Sequence, residues 1–177
     1  NAKYLIADKG NPAADASFVP VFNADPDVDI YLNTNAQARI RLVSRTILVK
    51  DDTAAFNAIH AADFDPNNQV VLHAHAVSLD HSLTSSTLRY LSYSPHSQSV
   101  EVHSSSPAYL VFSEVWYPGW NATLNGKPTT LLKANYAFRA VYIPTGHHVV
   151  TLNFLPTSFP LAPSISIASF VVVTLIL

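Results

Sequence analysis

The 177-residue chain contains no cysteine and no methionine. Without cysteine there can be no disulfide, thiol nucleophile or thiolate metal site. Without methionine, even at position 1, the expectation is a processed or excised piece of a longer reading frame. Glycine is scarce, with only Gly10, Gly119, Gly126 and Gly146, which excludes the glycine-rich phosphate loops and the GxSxG elbow. Charge is scarce too, at 12% of residues against the ~25% usual in soluble domains. Ten Lys and Arg stand against twelve Asp and Glu. The basic residues are scattered, so the chain has no electrostatic case for nucleic acid. After Arg139 no Asp, Glu, Lys or Arg appears through Leu177.

What the chain does have is short β-branched and aromatic segments with strong punctuation. Trp116-Tyr117-Pro118-Gly119-Trp120 reads as strand, turn and strand. Pro118-Gly119 suits a type II turn, because Pro fixes φ at its first central position and Gly accepts φ > 0 at its second. Asn125-Gly126 is the strongest short hairpin signal, since a type I′ turn needs φ > 0 twice. Further strands are expected at Lys3–Ala7, Asp29–Leu32, Ala38–Val49, Gln69–Ala76, Thr87–Tyr93, Ser99–His103, Ala108–Trp116, Phe138–Ile143 and His148–Leu155. One helix is expected over 51–62, capped by Asp51 or Asp52, with Ala55, Phe56, Ile59 and Ala62 at helical spacing. Asp63-Phe64-Asp65-Pro66 ends it. Many short strands with regular turns predict a mainly β protein, an antiparallel β-sandwich whose helix covers a sheet end or edge.

The apolar run Leu161–Leu177 is broken only by Ser164, Ser166, Ser169 and Thr174. It reads as the start of a truncated transmembrane helix, with a buried C-terminal strand as the alternative. The expected organisation is a domain over 1–158 followed by a membrane segment over 159–177.

Little in the sequence specifies chemistry. His73 and His75 would share one face of a strand, with His81 near enough to join them. They are the metal candidates, against the plainer reading of a solvated strand face. Asp25-Pro-Asp27-Val-Asp29 resembles a calcium loop but lacks its Gly and Glu, so a turn before a strand is the better account. Glu101 and Glu114 alternate with apolar neighbours and are expected at the surface. Asn121-Ala122-Thr123 is a formal glycosylation sequon. No motif places a nucleophile, base and oxyanion group together, so no catalytic residue and no cofactor are assigned. Trp116, Tyr117, Trp120, Tyr136 and Arg139 are the candidate ligand-contacting residues. Flat rings stack on sugar faces or stand at a bilayer interface, although core packing is the favoured reading for both tryptophans. Strand alternation would turn Val111, Val115 and Tyr117 inward and leave Trp116 partly exposed beside Glu114.

Several of these pieces, taken in order, resemble the C-terminal region of the bacterial YfhO-type membrane proteins. They are Val28-Asp-Ile-Tyr31-Leu-Asn33, Asp63-Phe64-Asp65-Pro66, Trp116–Trp120, Asn125-Gly126-Lys127, Asn135-Tyr136-Ala137-Phe138-Arg139, Gly146-His147-His148-Val149, Pro156 and the final apolar run. Departures are Asn125 where an Asp is usual, Ala38 where a Pro is common before Arg39, and the doubled His147-His148. The resemblance implies an accessory, non-catalytic, extracytoplasmic β domain at the cell membrane. Its parent would be a glycosyltransferase that uses lipid-linked sugar and acts on cell-envelope glycans or polymers. The implied partners are the lipid bilayer, the membrane-embedded remainder of the same protein and a glycan or polyprenyl-linked sugar. The alternative is a non-enzymatic, membrane-anchored module that binds carbohydrate or scaffolds partners.

Overall fold

A computed structural model describes residues 2–11 and 15–156. The chain divides into two compact units, Asn1–Arg39 and Ile40–Leu177. The first unit is a three-stranded antiparallel sheet of β1 (Tyr4–Asp8), β2 (Phe18–Phe22) and β3 (Val28–Asn33), with β3 central. Strand β2, which contains Pro20, was not among the expected strands. It forms nonetheless as an edge strand, where a missing N–H is tolerated, and its register slips between Pro20 and Phe22. Asp25 makes the turn before β3, its Oδ1 accepting from the backbone N–H of Asp27 at 2.9 Å and of Val28 at 3.2 Å.

The second unit contains β4 (Ile40–Val43), β5 (Arg45–Val49), helix α1 (Asp52–Ile59), β6 (Gln69–His73), β7 (Ser86–Tyr93), β8 (Ser97–Ser104) and β9 (Ala108–Phe112). After these come β10 (Trp120–Leu124), β11 (Lys127–Thr129), β12 (Leu131–Ala134), β13 (Phe138–Ile143) and β14 (Gly146–Phe154). They form a five-stranded sheet in the order β11-β10-β14-β8-β7 and a six-stranded sheet in the order β4-β9-β13-β12-β6-β5. The two sheets share one core. Val100, Val102, Val150 and Leu152 come from the first, and Leu110, Phe112, Val141 and Ile143 from the second. Gly126 (φ 78°) and Asn125 (φ 52°) adopt the left-handed conformations that the β10–β11 hairpin needs.

The expected antiparallel sandwich needs two corrections. Strands β5 and β6 are parallel, and a parallel pair requires a crossover, which α1 supplies. The helix is therefore a connection between paired strands. Second, the expected strand Ala38–Val49 breaks at Ser44, and its halves β4 and β5 lie on opposite edges of the six-stranded sheet. Edges one residue apart in sequence must approach in space, so this sheet curls on itself. Val43, Val70, Leu72, Tyr109, Val111 and Ala140 belong to a second core associated with it. The break had a sign in the sequence: the apolar positions shift from even (Ile40, Leu42) to odd (Ile47, Val49). The buried Ser44 hydroxyl donates to the His81 carbonyl at 2.6 Å.

Three expected elements overran. Asp51 caps α1, its carboxylate accepting from Ala54 N–H at 2.8 Å, but the helix stops at Ile59. The ring of His60 takes the Phe56 carbonyl at 2.7 Å, an acceptor that one more helical turn would use. Strand β6 ends at His73, so His75 lies in a turn. Strand β9 ends at Phe112, and the chain bends at Ser113 and Glu114. Among the described residues no helix is long and apolar enough to cross a membrane. The expected span within 159–177 lies outside the described residues.

Candidate functional site

Where β9 stops, a polar group enters the interior. Arg139 on β13 is only 2% exposed and forms an ion pair with Glu114, whose side chain is 21% exposed. The guanidinium carbon lies 4.0 Å from the centre of the Trp120 ring, in a cation–π contact. Gln98 on β8, itself buried, donates from Nε2 to the Glu114 carboxylate at 2.8 Å. Burial pulls the guanidinium pKa down, and Glu114 pulls it back up. Glu114 is thus not the surface carboxylate that alternation predicts, because alternation ended two residues earlier. Arg139 and Trp120 meet as a bolt between the two sheets: Arg139 lies on the six-stranded sheet with Glu114 just beyond the end of its strand β9, while Trp120 and Gln98 lie on the five-stranded sheet.

The bolt fixes the loop between β9 and β10. Trp116 N–H donates to the Ala137 carbonyl at 2.7 Å. Gly119 has φ 106°, and a Cβ there would lie 3.1 Å from both the Phe154 ring and Pro156 Cα, so only Gly fits. Leu155 N–H donates to the Gly119 carbonyl at 2.7 Å, tying the end of β14 to the same turn. Rings continue outward from Trp120 to Phe154 (centroids 5.4 Å apart) and from Phe154 to Tyr117 (6.3 Å). Val115 and Tyr117 are exposed while Phe112 is fully buried. This reverses the inward placement of Val115 and Tyr117, and the reason is again the bend after Phe112. Trp116 and Trp120 are half-buried.

Tyr136 belongs to a different place. Asn135 (φ 47°) and Tyr136 (φ 68°) are consecutive non-glycine residues in the left-handed region, a conformation that costs about 1–2 kcal/mol per residue. The buried Asn135 Oδ1 accepts from Val71 N–H at 2.8 Å and holds the turn. The result is a Tyr136 ring left 42% exposed, edge-on to Phe56 of α1 at 5.5 Å. Lys133 Nζ lies 5.2 Å from the Tyr136 ring centre. Asp52, Thr53, Phe56 and Tyr136 line an open cleft of about 210 Å³. At its edge Asp52 bridges Lys133 Nζ (2.7 Å) and His73 Nε2 (3.2 Å). The hydrogen bond from Lys133 holds the Asp52 carboxyl below its ordinary value, with His73 adding to the effect.

Asp52 and Phe56 were noted only as a possible helix cap and a residue of the helix's apolar spacing, and Lys133 was not singled out at all. Phe56 sat in the apolar pattern of the helix and read as core, although it is 47% exposed. Lys133, between Leu132 and Ala134, carried only the alternation signal of an outward strand residue.

The histidine candidates separate. His73 pairs with Asp52, and its ring lies 6.2 Å from that of His75. His81 Nε2 is engaged with the Pro107 carbonyl at 2.8 Å. Among the described residues no group of three or more His, Asp or Glu is arranged to hold a metal ion.

The family model described as "Bacterial membrane protein YfhO" matches residues 64–166, more than half of the chain. No curated protein and no solved structure matches it. The matched stretch contains Asn135, Tyr136, Arg139, Glu114 and the Trp116–Trp120 loop that the geometry has just connected. This chain belongs to the YfhO family of bacterial membrane proteins.

Proposed function

We propose that this chain is the extracytoplasmic β domain of a membrane glycosyltransferase that uses lipid-linked sugar, and that it contacts the sugar without catalysing the transfer. Its residues 159–177 would enter the bilayer. The observation that carries the reading is the Tyr136 cleft. Exposed Tyr136 and Phe56 rings offer apolar faces, with an Asp52–Lys133–His73 cluster beside them for hydroxyl groups. Its volume of about 210 Å³ is below the ~300–1,000 Å³ of sites for drug-sized ligands, which suits a single sugar ring. The backbone strain at Tyr136 is consistent with a residue kept for contact more than for stability. Trp116, Tyr117 and Trp120 remain secondary candidates, whereas Arg139 acts by holding the fold around them.

The test is ligand-observed NMR of the purified chain with methyl glycosides of glucose, galactose and N-acetylglucosamine. Binding that is lost in Tyr136→Gly, with unfolding unchanged, supports the reading. Equal binding by wild type and variant, or none by either, overturns the cleft as a sugar site. The alternative of a non-enzymatic carbohydrate-binding module shares the cleft and differs only in whether the complete protein transfers sugar.

A further inference from the structure

One end of the five-stranded sheet collects apolar surface and excludes charge. Strand β7 finishes there, β8 and β10 start there, and β14 ends there, with Trp120 opposite Phe154 and Ser97 opposite Asn153. The chain segments that build it, residues 90–98, 115–121 and 152–156, contain no Asp, Glu, Lys or Arg. Glu114 and Arg139, which border the loop, neutralise each other. Leu91, Tyr93, Val115, Tyr117 and Leu155 all belong to these segments and are 47–66% exposed. They make up five of the nine large exposed apolar side chains among the described residues of the second unit.

Such a concentration marks a surface with a partner. The position of the chain's exit says which. Leu155 is hydrogen-bonded to Gly119 within this end, and the uncharged run beginning at Leu161 follows five residues after Pro156. Five residues span at most ~18 Å. If the run enters lipid, as the proposed function holds, this end lies within that distance of the bilayer. Tyrosine and tryptophan are the residues enriched at membrane–water interfaces, and three tyrosines (Tyr90, Tyr93 and Tyr117) and both tryptophans of the chain lie in these segments.

The geometry points to a bilayer as the partner of this end: Leu91, Tyr93, Val115, Tyr117 and Leu155 seat the domain on the headgroup layer beside the point where the chain enters it. The inference rests on the membrane-entry reading of the tail, so its test reads the two separately. Because the chain has no cysteine, single cysteines can carry an environment-sensitive fluorophore without further changes. The positions are Leu91→Cys and Tyr117→Cys at this end, Lys127→Cys at the exposed start of β11, next to the hairpin turn at the opposite end of β10, and Ser169→Cys in the tail. The full chain is reconstituted in phosphatidylethanolamine/phosphatidylglycerol vesicles with and without brominated acyl chains. The expected result is blue-shifted emission and bromine quenching at positions 91 and 117 but not at 127. Quenching at 169 with none at 91 and 117 overturns the seat and leaves the tail reading intact. No quenching at any position overturns both. Quenching at 91 and 117 without 169 supports the seat and removes the tail as its cause.

Discussion

Replacing Glu114 with glutamine is the most direct test of the bolt that organises this end of the domain. Gln keeps the shape and the bond to Gln98 but deletes the charge facing Arg139. The guanidinium would then remain 2% exposed without a counter-ion. Removing one member of a buried ion pair costs about 3–5 kcal/mol, because the other charge stays desolvated. Two features put the expected loss at the low end, about 3 kcal/mol: the side chain of Glu114 is 21% exposed, and the Trp120 face continues to stabilise the cation. At 2–4 °C per kcal/mol for a chain of this size, that is about 6–12 °C in Tm. The assay is urea and thermal unfolding of Glu114→Gln, Arg139→Met and the double variant. If the pair is coupled, the double variant loses less than the sum of the singles, by about 0.5–3 kcal/mol. A Glu114→Gln loss below about 1 kcal/mol, with additive singles, would refute the argument, since it is the cost of a surface pair.

Three further outcomes follow from the geometry. Gly119→Ala puts a Cβ at 3.1 Å from Phe154 and Pro156 with φ at 106°, so unfolding measurements should show a loss of more than 1 kcal/mol, unlike Gly126→Ala, where no steric contact adds to the φ strain. Tyr136→Gly relieves a left-handed tyrosine while giving up an exposed ring contact, and its stability should stay within about 1 kcal/mol of wild type. Asp52 has its folded pKa depressed by Lys133 and His73, so its contribution to stability is complete above 3.8 and is lost as pH falls through the lower folded value. Asp52→Asn should therefore be less stable than wild type at pH 6, and the gap should close toward pH 3 in an acid unfolding series.

Much of the fold was legible because its local rules agree. The Asn125-Gly126 turn, the Asp51 cap and the limits of β13 all follow from backbone chemistry confined to a few residues. The curled sheet was not legible in the same way. Nothing local to Ile40–Val49 says that its halves pair with partners on opposite sheet edges, and only the phase shift across Ser44 hints at the break. The parallel β5–β6 pair was likewise readable only by treating strand, helix and strand as one crossover. Tertiary pairing decides these features, and a strand-by-strand reading cannot reach it.

The candidate site was half legible for a more specific reason. Sequence patterns brought Trp116, Tyr117, Trp120, Tyr136 and Arg139 to notice as one aromatic and cationic group, yet the structure gives them three tasks. Arg139 and Trp120 face inward and bind the sheets together. Tyr117 faces outward at a charge-free end. Tyr136 is turned by Asn135 toward Phe56, a helix residue that periodicity had assigned to the core. One hydrogen bond joins these tasks: Trp116 N–H to the Ala137 carbonyl attaches the outward loop to the Tyr136 turn. If the charge-free end rests on lipid, the cleft beside that turn stands near the headgroup layer, where the sugar of a lipid-linked donor would be held. Loosening the bolt should then impair both surfaces together. At a temperature where Glu114→Gln is still folded, weaker bromine quenching at position 117 and weaker glycoside binding should appear in the same variant. Loss of one without the other would show that the seat and the cleft are independent.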